Sequence, residues 1–290
     1  MAADNLLGDF LKARRARIAP SGREVALSGR RRVAGLRRDE LARQAGISEP
    51  YLTRLEQGVD RHPSSQVLQA LARALELDAD TAAYFYSLAA PAPDPMPDAA
   101  RSASPGVSPG VGPGVSPDLS PDLSPGVSED VHRLLDAWAG SPAYVRDRRF
   151  DVLAANKAAR ALASMYEPGH NLAREVFFSP EARRLLPDWP LIAEQTVAAL
   201  RAEADQRDPQ TVRLIAELET SEEFRRLWAK HDARPSRDEL KRFAHPDVGE
   251  LSLRRQALTV GGAEQLVIIV YQAAPGSASA DALARLVYEL

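Results

Sequence analysis

The chain has 290 residues, enough for two domains, with 44% hydrophobic and 27% charged residues and a formal net charge of −3. It contains no cysteine, which rules out disulfides, thiolate metal sites and a cysteine nucleophile. It also contains no apolar run near the ~18 residues that a membrane span needs. The first residues lack the apolar core of a signal peptide, so a cytoplasmic protein without membrane partners is expected. Charge is unevenly placed: residues 9–61 hold 13 Lys/Arg against 7 Asp/Glu, whereas residues 129–290 hold 22 against 25. Such asymmetry suits a chain of which only one part meets a polyanion.

In chain order, residues 1–90 read as helix throughout. Candidates are Leu6–Ile18, Arg38–Ala45, Glu49–Gln57 after the break Gly46-Ile47-Ser48, Ser65–Glu76 behind a capping Ser64, and Asp80–Leu88. Val67, Leu68, Leu71, Ala74 and Leu75 recur at the spacing of a core-facing helix. Residues 91–128 differ. Prolines 105, 109, 113, 117, 121 and 125 fall every fourth residue among Ser, Gly, Val, Asp and Leu. Nothing there supplies a core, so a disordered or extended tether reaching up to ~118 Å is predicted. Beyond it, Val131–Ala139 is predicted helical, and Tyr144–Arg146 with Phe150–Ala154 forms a hairpin leading into a helix from Asn156. Helix then runs from about Leu172 to His231, broken at Pro180, Pro187, Pro190 and near Pro209. Glu250–Val260 and Gln265–Gln272 read as strands across Gly261-Gly262, and Ala280–Leu290 as a terminal helix. The expected fold class is an all-α domain over 1–90 and an α+β domain over 129–290, joined by a disordered linker over 91–128.

Two short helices that cross need close approach and a tight turn. Ala42 and Ala45 are small, Gly46 supplies the turn dihedral, Ile47 plugs the gap, and Ser48 caps the second helix, whose first turn tolerates Pro50. At 100° per residue Leu52 and Leu55 point inward, while Pro50, Thr53, Arg54 and Gln57 project outward, flanked by Ser48, Glu49 and Tyr51. This is the face a recognition helix presents to a major groove. Arg54 suits guanine, Thr53 or Pro50 a thymine methyl, and Glu49 a cytosine amino group. Arg37, Arg38, Arg43 and Arg61 suit phosphates of double-stranded DNA, which position without specifying.

The segments Gly35-Leu36-Arg37-Arg38-Asp39-Glu40 and Tyr51-Leu52-Thr53-Arg54-Leu55-Glu56-Gln57-Gly58 resemble the XRE-type helix-turn-helix, in particular its MmyB-like branch, from which Ala34 and Leu52 depart. The resemblance implies a structural pairing of Arg15 with Glu56. Residues 129–281 resemble the MmyB-like ligand-binding domain, which is PAS-like. Leu134-Leu135-Asp136-Ala137-Trp138, Phe150-Asp151-Val152-Leu153-Ala154-Ala155-Asn156, Phe224–Asp232 and Lys241–Pro246 carry this likeness. It implies a sensor for a hydrophobic, fatty-acid-like small molecule.

Candidate lining residues are Trp138, Tyr144, Phe150, Phe177, Trp189, Phe224, Trp228 and His231, although large aromatics also serve as plain core. Arg146, Arg174, Arg226 and His231 are candidate carboxylate partners. His231 beside Asp232, with His245 and Asp247, is more cheaply read as ion pairing than as a metal site. No metallohydrolase histidine pair, phosphate-cradling glycine loop or nucleophile motif stands in the sequence, so neither catalysis nor a cofactor is expected. The expectation is a homodimeric, ligand-controlled transcription regulator. A lipid-metabolite enzyme and a ligand-free DNA-binding adaptor are the alternatives.

Overall fold

The computed structural model describes residues 5–19, 35–90, 127–260 and 263–288. The loop 20–34, with Arg30-Arg31-Arg32, and the proline repeat of 91–126 lie outside the described residues. Among those described, no helix is long and apolar enough to cross a membrane.

The N-terminal part is all helix: α1 Leu6–Arg17, α2 Arg38–Gln44, α3 Glu49–Gln57, α4 Ser65–Ala74 and α5 Ala79–Ala89. Local chemistry sets the starts. The side chain of Ser48 accepts from Tyr51 N at 3.3 Å, Ser64 from Val67 N at 3.4 Å, and Asp78 from Thr81 N at 2.9 Å, each satisfying an orphan amide of a first turn. Gly46 at the α2–α3 turn has φ +66°, a left-handed conformation that costs other residues strain. Gly8 is needed for another reason: a Cβ there would lie 2.5 Å from the backbone oxygen of Glu56, so α1 crosses α3 only without a side chain. Phe10, Leu11, Leu41, Leu52, Leu55, Leu71 and Phe85 fill the core between these helices.

The second part opens with α6 Glu129–Ala137 and the strands β1 Ala143–Arg146 and β2 Val152–Ala155. Helices α7 Lys157–Leu162, α8 Leu172–Phe178, α9 Pro180–Leu185, α10 Trp189–Glu203, α11 Pro209–Leu218 and α12 Glu222–Trp228 follow, with a 3-10 turn at Ser164–Tyr166. The chain ends in β3 Glu239–His245, β4 Gly249–Val260, β5 Ala263–Ala273 and α13 Ala278–Tyr288. The strands make one antiparallel sheet in the order β2-β1-β5-β4-β3. Here is the expected α+β domain, and its helical stretch is interrupted near the prolines as the sequence reading has it: Pro180, Pro190 and Pro209 each sit in the first turn of a new helix, α9, α10 and α11, where no amide is lost. Strand β3 was not expected: its burial alternates, but three of the four inward residues, Glu239, Lys241 and His245, are polar, so no apolar period marks it.

The sheet's period of two divides its side chains between two cores. Val145, Ala154, Ile268 and Val270 face α6, whose Val131 and Leu135 cover them together with Val127. Tyr144, Phe243, Leu251, Leu253, Ile269 and Tyr271 face the helical layer. Asn156 stitches this region, donating to the backbone oxygens of Leu135, Trp138 and Ser141 and accepting from Ala143 N and Ala159 N.

The two parts pack directly on each other. Residues 231–238, between α12 and β3, lack regular structure and lie along α1 and α5. Ala233 is fully buried among the N-terminal core residues, and its backbone oxygen accepts from Thr81 Oγ1 at 3.4 Å. Gln206 Nε2 donates to the Tyr84 hydroxyl at 2.6 Å, Arg234 pairs with Asp78, and Arg237 with Asp80.

Candidate functional site

In the N-terminal part the structure orients α3 as its sequence requires. Leu52 and Leu55 are fully buried, whereas Ser48, Glu49, Pro50, Arg54 and Gln57 are exposed and Tyr51 and Thr53 half-buried. These side chains therefore form one outward surface. On it Arg54 Nε donates to Asp60 Oδ2 at 2.7 Å, and the guanidinium stands 5.6 Å from the centre of the Tyr51 ring. Arg37, Arg43 and Arg61 are exposed as well.

Beneath it lies Glu56, a carboxylate with no solvent exposure. Arg15 Nε donates to Glu56 Oε1 at 2.7 Å and its Nη2 to Oε2 at 3.3 Å, which is the pairing that the resemblance implied. Arg38 Nε adds a second cation, 2.6 Å from Glu56 Oε2. Sequence reasoning gave Arg38 to phosphates alone, but the structure also places it on the buried acid. A buried carboxylate needs such compensation, because removing its charge partners leaves a costly ion in the core. The triad locks α1 and α2 to the end of α3.

The second part holds a cavity of about 610 Å³ between the inner face of the sheet and α8–α10. Met165, Leu172, Val176, Leu186 and Ile192 line it on the helical side. The strand period puts Tyr144 and Arg146 of β1, Arg255 of β4 and Lys241 of β3 on the same face, and all four line the cavity. Arg146, 2% exposed, donates to Glu203 Oε2 at 2.7 Å, to Ser236 Oγ at 3.2 Å and to Asp147 O at 2.9 Å, and stacks 4.1 Å from the centre of the Phe150 ring. Burial raises the Glu203 carboxyl, but Arg146 and the Ser236 amide outweigh it and hold it below the ordinary carboxylate range. Burial, reinforced by the charge of Arg255, brings the Lys241 ammonium down to about 8. Burial likewise raises the hydroxyls of Tyr144, Tyr166 and Tyr271, the last two 3.1 Å apart, so all three stay protonated. Phe150 adopts φ +71°, a strained conformation for an aromatic residue, in a turn where Asp147 Oδ1 accepts from the amides of Arg149 and Asp151.

Of the aromatic candidates, Tyr144 and Phe150 line this cavity. Phe177, Trp189, Phe224 and Trp228 instead pack on one another at ring separations of 5.2–6.2 Å between α8, α10 and α12. Trp138 packs on the opposite face of the sheet. His231 sits where the two parts meet, 6.3 Å from the Phe10 ring, with φ +52°. Of the suggested carboxylate partners Arg146 reaches the cavity, while Arg174 pairs with Glu217 and Arg226 with Glu223 at the surface. The histidines are separate: His245 Nε2 lies 3.1 Å from Ala161 O, and its Nδ1 accepts from Asp247 N. No cluster of three or more metal-ligating side chains occurs among the described residues. The strand period alone reveals Lys241 and Arg255 once β3 and β4 are placed. Arg14 and Arg17 of α1, which also line the cavity, carry no local signal at all.

A family model described as the MmyB-like transcription regulator ligand binding domain matches residues 127–286, and a helix-turn-helix model matches residues 30–81. No curated protein matches the chain. With more than half its length in the first of these, and an XRE-type helix-turn-helix ahead of it, the chain belongs to the MmyB-like transcription regulators: DNA-binding proteins with a C-terminal ligand-binding domain.

Proposed function

We propose that the protein is a cytoplasmic, homodimeric regulator whose cavity holds a hydrophobic small molecule of fatty-acid type, a carboxylate on an apolar body. The two-sided wall of the cavity carries this reading. Met165, Leu172, Val176, Leu186 and Ile192 offer an apolar body a dry surface, which favours it by about 25 cal/mol for each Å² removed from water. At its rim Arg14 and Arg17 share the single carboxylate of Asp232, a local excess of positive charge that suits one negative charge.

On DNA, Arg54 with Ser48, Glu49, Pro50, Tyr51, Thr53 and Gln57 reads bases, while Arg37, Arg38, Arg43 and Arg61 hold the flanking phosphates. Two copies engage two half-sites, which gives the dimer an affinity that one domain lacks. The working division is a DNA-binding domain over 1–90, a linker over 91–128 and a ligand-binding domain over 129–290.

The test is mass spectrometry of the purified protein, native and after organic extraction. It is followed by titration of a DNA site, selected from a random library, with and without the recovered compound. A co-purifying lipid-like acid that shifts DNA affinity is the expected result. If nothing co-purifies, and medium- and long-chain fatty acids move neither melting nor DNA affinity, the ligand-free adaptor replaces this reading.

A further inference from the structure

Residues 231–238 do two things at once. Asp232, Arg234, Ser236 and Arg237 line the ligand cavity, and the same stretch is pinned to the DNA-binding part through Ala233 and the pairs Arg234–Asp78 and Arg237–Asp80. Helix α1 lines the same cavity through Arg14 and Arg17. Arg14 Nη1 and Arg17 Nη1 each lie 2.7 Å from the one oxygen Asp232 Oδ1, and Arg17 also donates to Lys230 O at 2.5 Å. Two guanidinium groups thus share one carboxylate, with donors to spare for another.

We propose that the cavity is a two-domain site in which the ligand's acid head displaces Asp232 from Arg14 and Arg17, so that ligand binding and docking of the DNA-binding domain form one equilibrium. The inference rests on the acidic, apolar ligand proposed above. Three observations place the head here rather than deeper. Arg146 already holds Glu203, and both Arg255 and Lys241 share their sheet face with the carboxylate of Glu239, Arg255 directly opposite it. The mouth is half-open, Arg17 keeping 44% of its side chain exposed, so a carboxylate gives up less hydration there than inside. The apolar wall lies inward, where a tail would run. Transmission needs no further element. Arg14 and Arg17 lie on the same side of α1, one turn apart, while Arg15 points away to Glu56 at the end of α3. A ligand that moves α1 therefore acts on the helix that faces DNA, and by linkage DNA acts equally on the ligand.

The probes are dodecanoate and uncharged dodecanol, titrated calorimetrically into the full chain, its R14A/R17A variant and its D232N variant. Loss of both arginines is expected to weaken dodecanoate about tenfold and leave dodecanol unchanged, as for a lost charge-assisted hydrogen bond. D232N removes the competing charge while keeping an acceptor for the arginines, and is expected to tighten dodecanoate several-fold. Opposite signs are the signature, because both variants weaken the same latch. Shifts of equal sign would mean that the latch only holds the domains together, and would overturn the two-domain site. If the full chain binds dodecanoate but neither variant changes its affinity by twofold, the two-domain site fails and the ligand class stands. If the full chain binds neither probe, the ligand class itself fails and the site falls with it.

Discussion

Glu56 shows how much one residue can carry. Its carboxylate is shut off from water and satisfied by Arg15 and Arg38, so Glu56→Ala leaves two cations facing a cavity. The expected loss is about 3–5 kcal/mol of stability of the N-terminal part, read from thermal melts of the full chain. Replacing Arg15 with Met and Glu56 with Leu together should restore much of it, since the half-exposed Arg38 can turn to water. An unchanged melting profile for Glu56→Ala alone would refute the role of the triad. The same geometry makes Arg38 a poor probe of phosphate contact, because its removal would lower both stability and DNA affinity. Arg43 is the cleaner probe. Arg54→Ala should cost roughly 1–3 kcal/mol on the preferred site and little elsewhere, whereas Arg43→Ala should weaken all sequences alike. Equal losses on preferred and scrambled DNA for both variants would remove α3 as the reading element.

At the scale of elements, the cap of α3 matters because Ser48 also belongs to the surface proposed to read bases. Ser48→Ala removes the side-chain acceptor of the Tyr51 amide and should destabilise the N-terminal part by about 1 kcal/mol. Amide exchange should rise first at residues 49–52; faster exchange confined to other helices would contradict this. Most elements were legible beforehand because capping residues and apolar periods are local. Ser48 and Ser64 cap where their sequence neighbourhoods suggest, and Asn156 caps the helix read from it, whereas Asp78 caps a helix that the sequence reading opened at Asp80. Strand β3 was not legible, since Leu240 and Ala244 are exposed and Lys241 turns towards a cavity that exists only in the folded domain. The aromatic residues misled for a related reason. Phe177, Trp189, Phe224 and Trp228 have the composition of a pocket but the packing of a core, and sequence does not separate the two.

For the whole molecule, a long proline-rich segment suggests two domains that move independently, yet the described residues dock on each other through α1, α5 and the segment 231–238. Proteolysis within 91–126 should therefore yield two fragments that still migrate together in gel filtration at micromolar concentration. Separate elution would show that this contact does not persist. The joint also predicts a pH response. Burial, with the charge of Arg201 adding to it, lowers the His231 imidazole to about 4, against about 6.5 when unfolded. Between these values the unfolded chain binds more protons, so stability falls as pH drops from 6.5 towards 4. His231→Asn keeps a side chain that tolerates φ +52° and should flatten the melting temperature over that range relative to wild type. An identical pH profile for the variant would exclude His231 as the cause.

The sequence by itself determined the helix-turn-helix, the outward face of α3, the pairing of Arg15 with Glu56 through its family pattern, and the α+β class of the second part. Each depends on neighbours within a turn or a strand, or on a motif repeated across a family, so linear spacing suffices. Only the tertiary structure decided that Arg38 shares Glu56, that Arg146, Lys241 and Arg255 converge on one cavity, and that Arg14 and Arg17 reach it from the other domain. Residues 14 and 232 are 218 positions apart, and nothing local distinguishes these charges from the many solvated ones along the chain. A charge acquires such a role from what burial and topology bring against it, and that becomes definite only when the two domains pack.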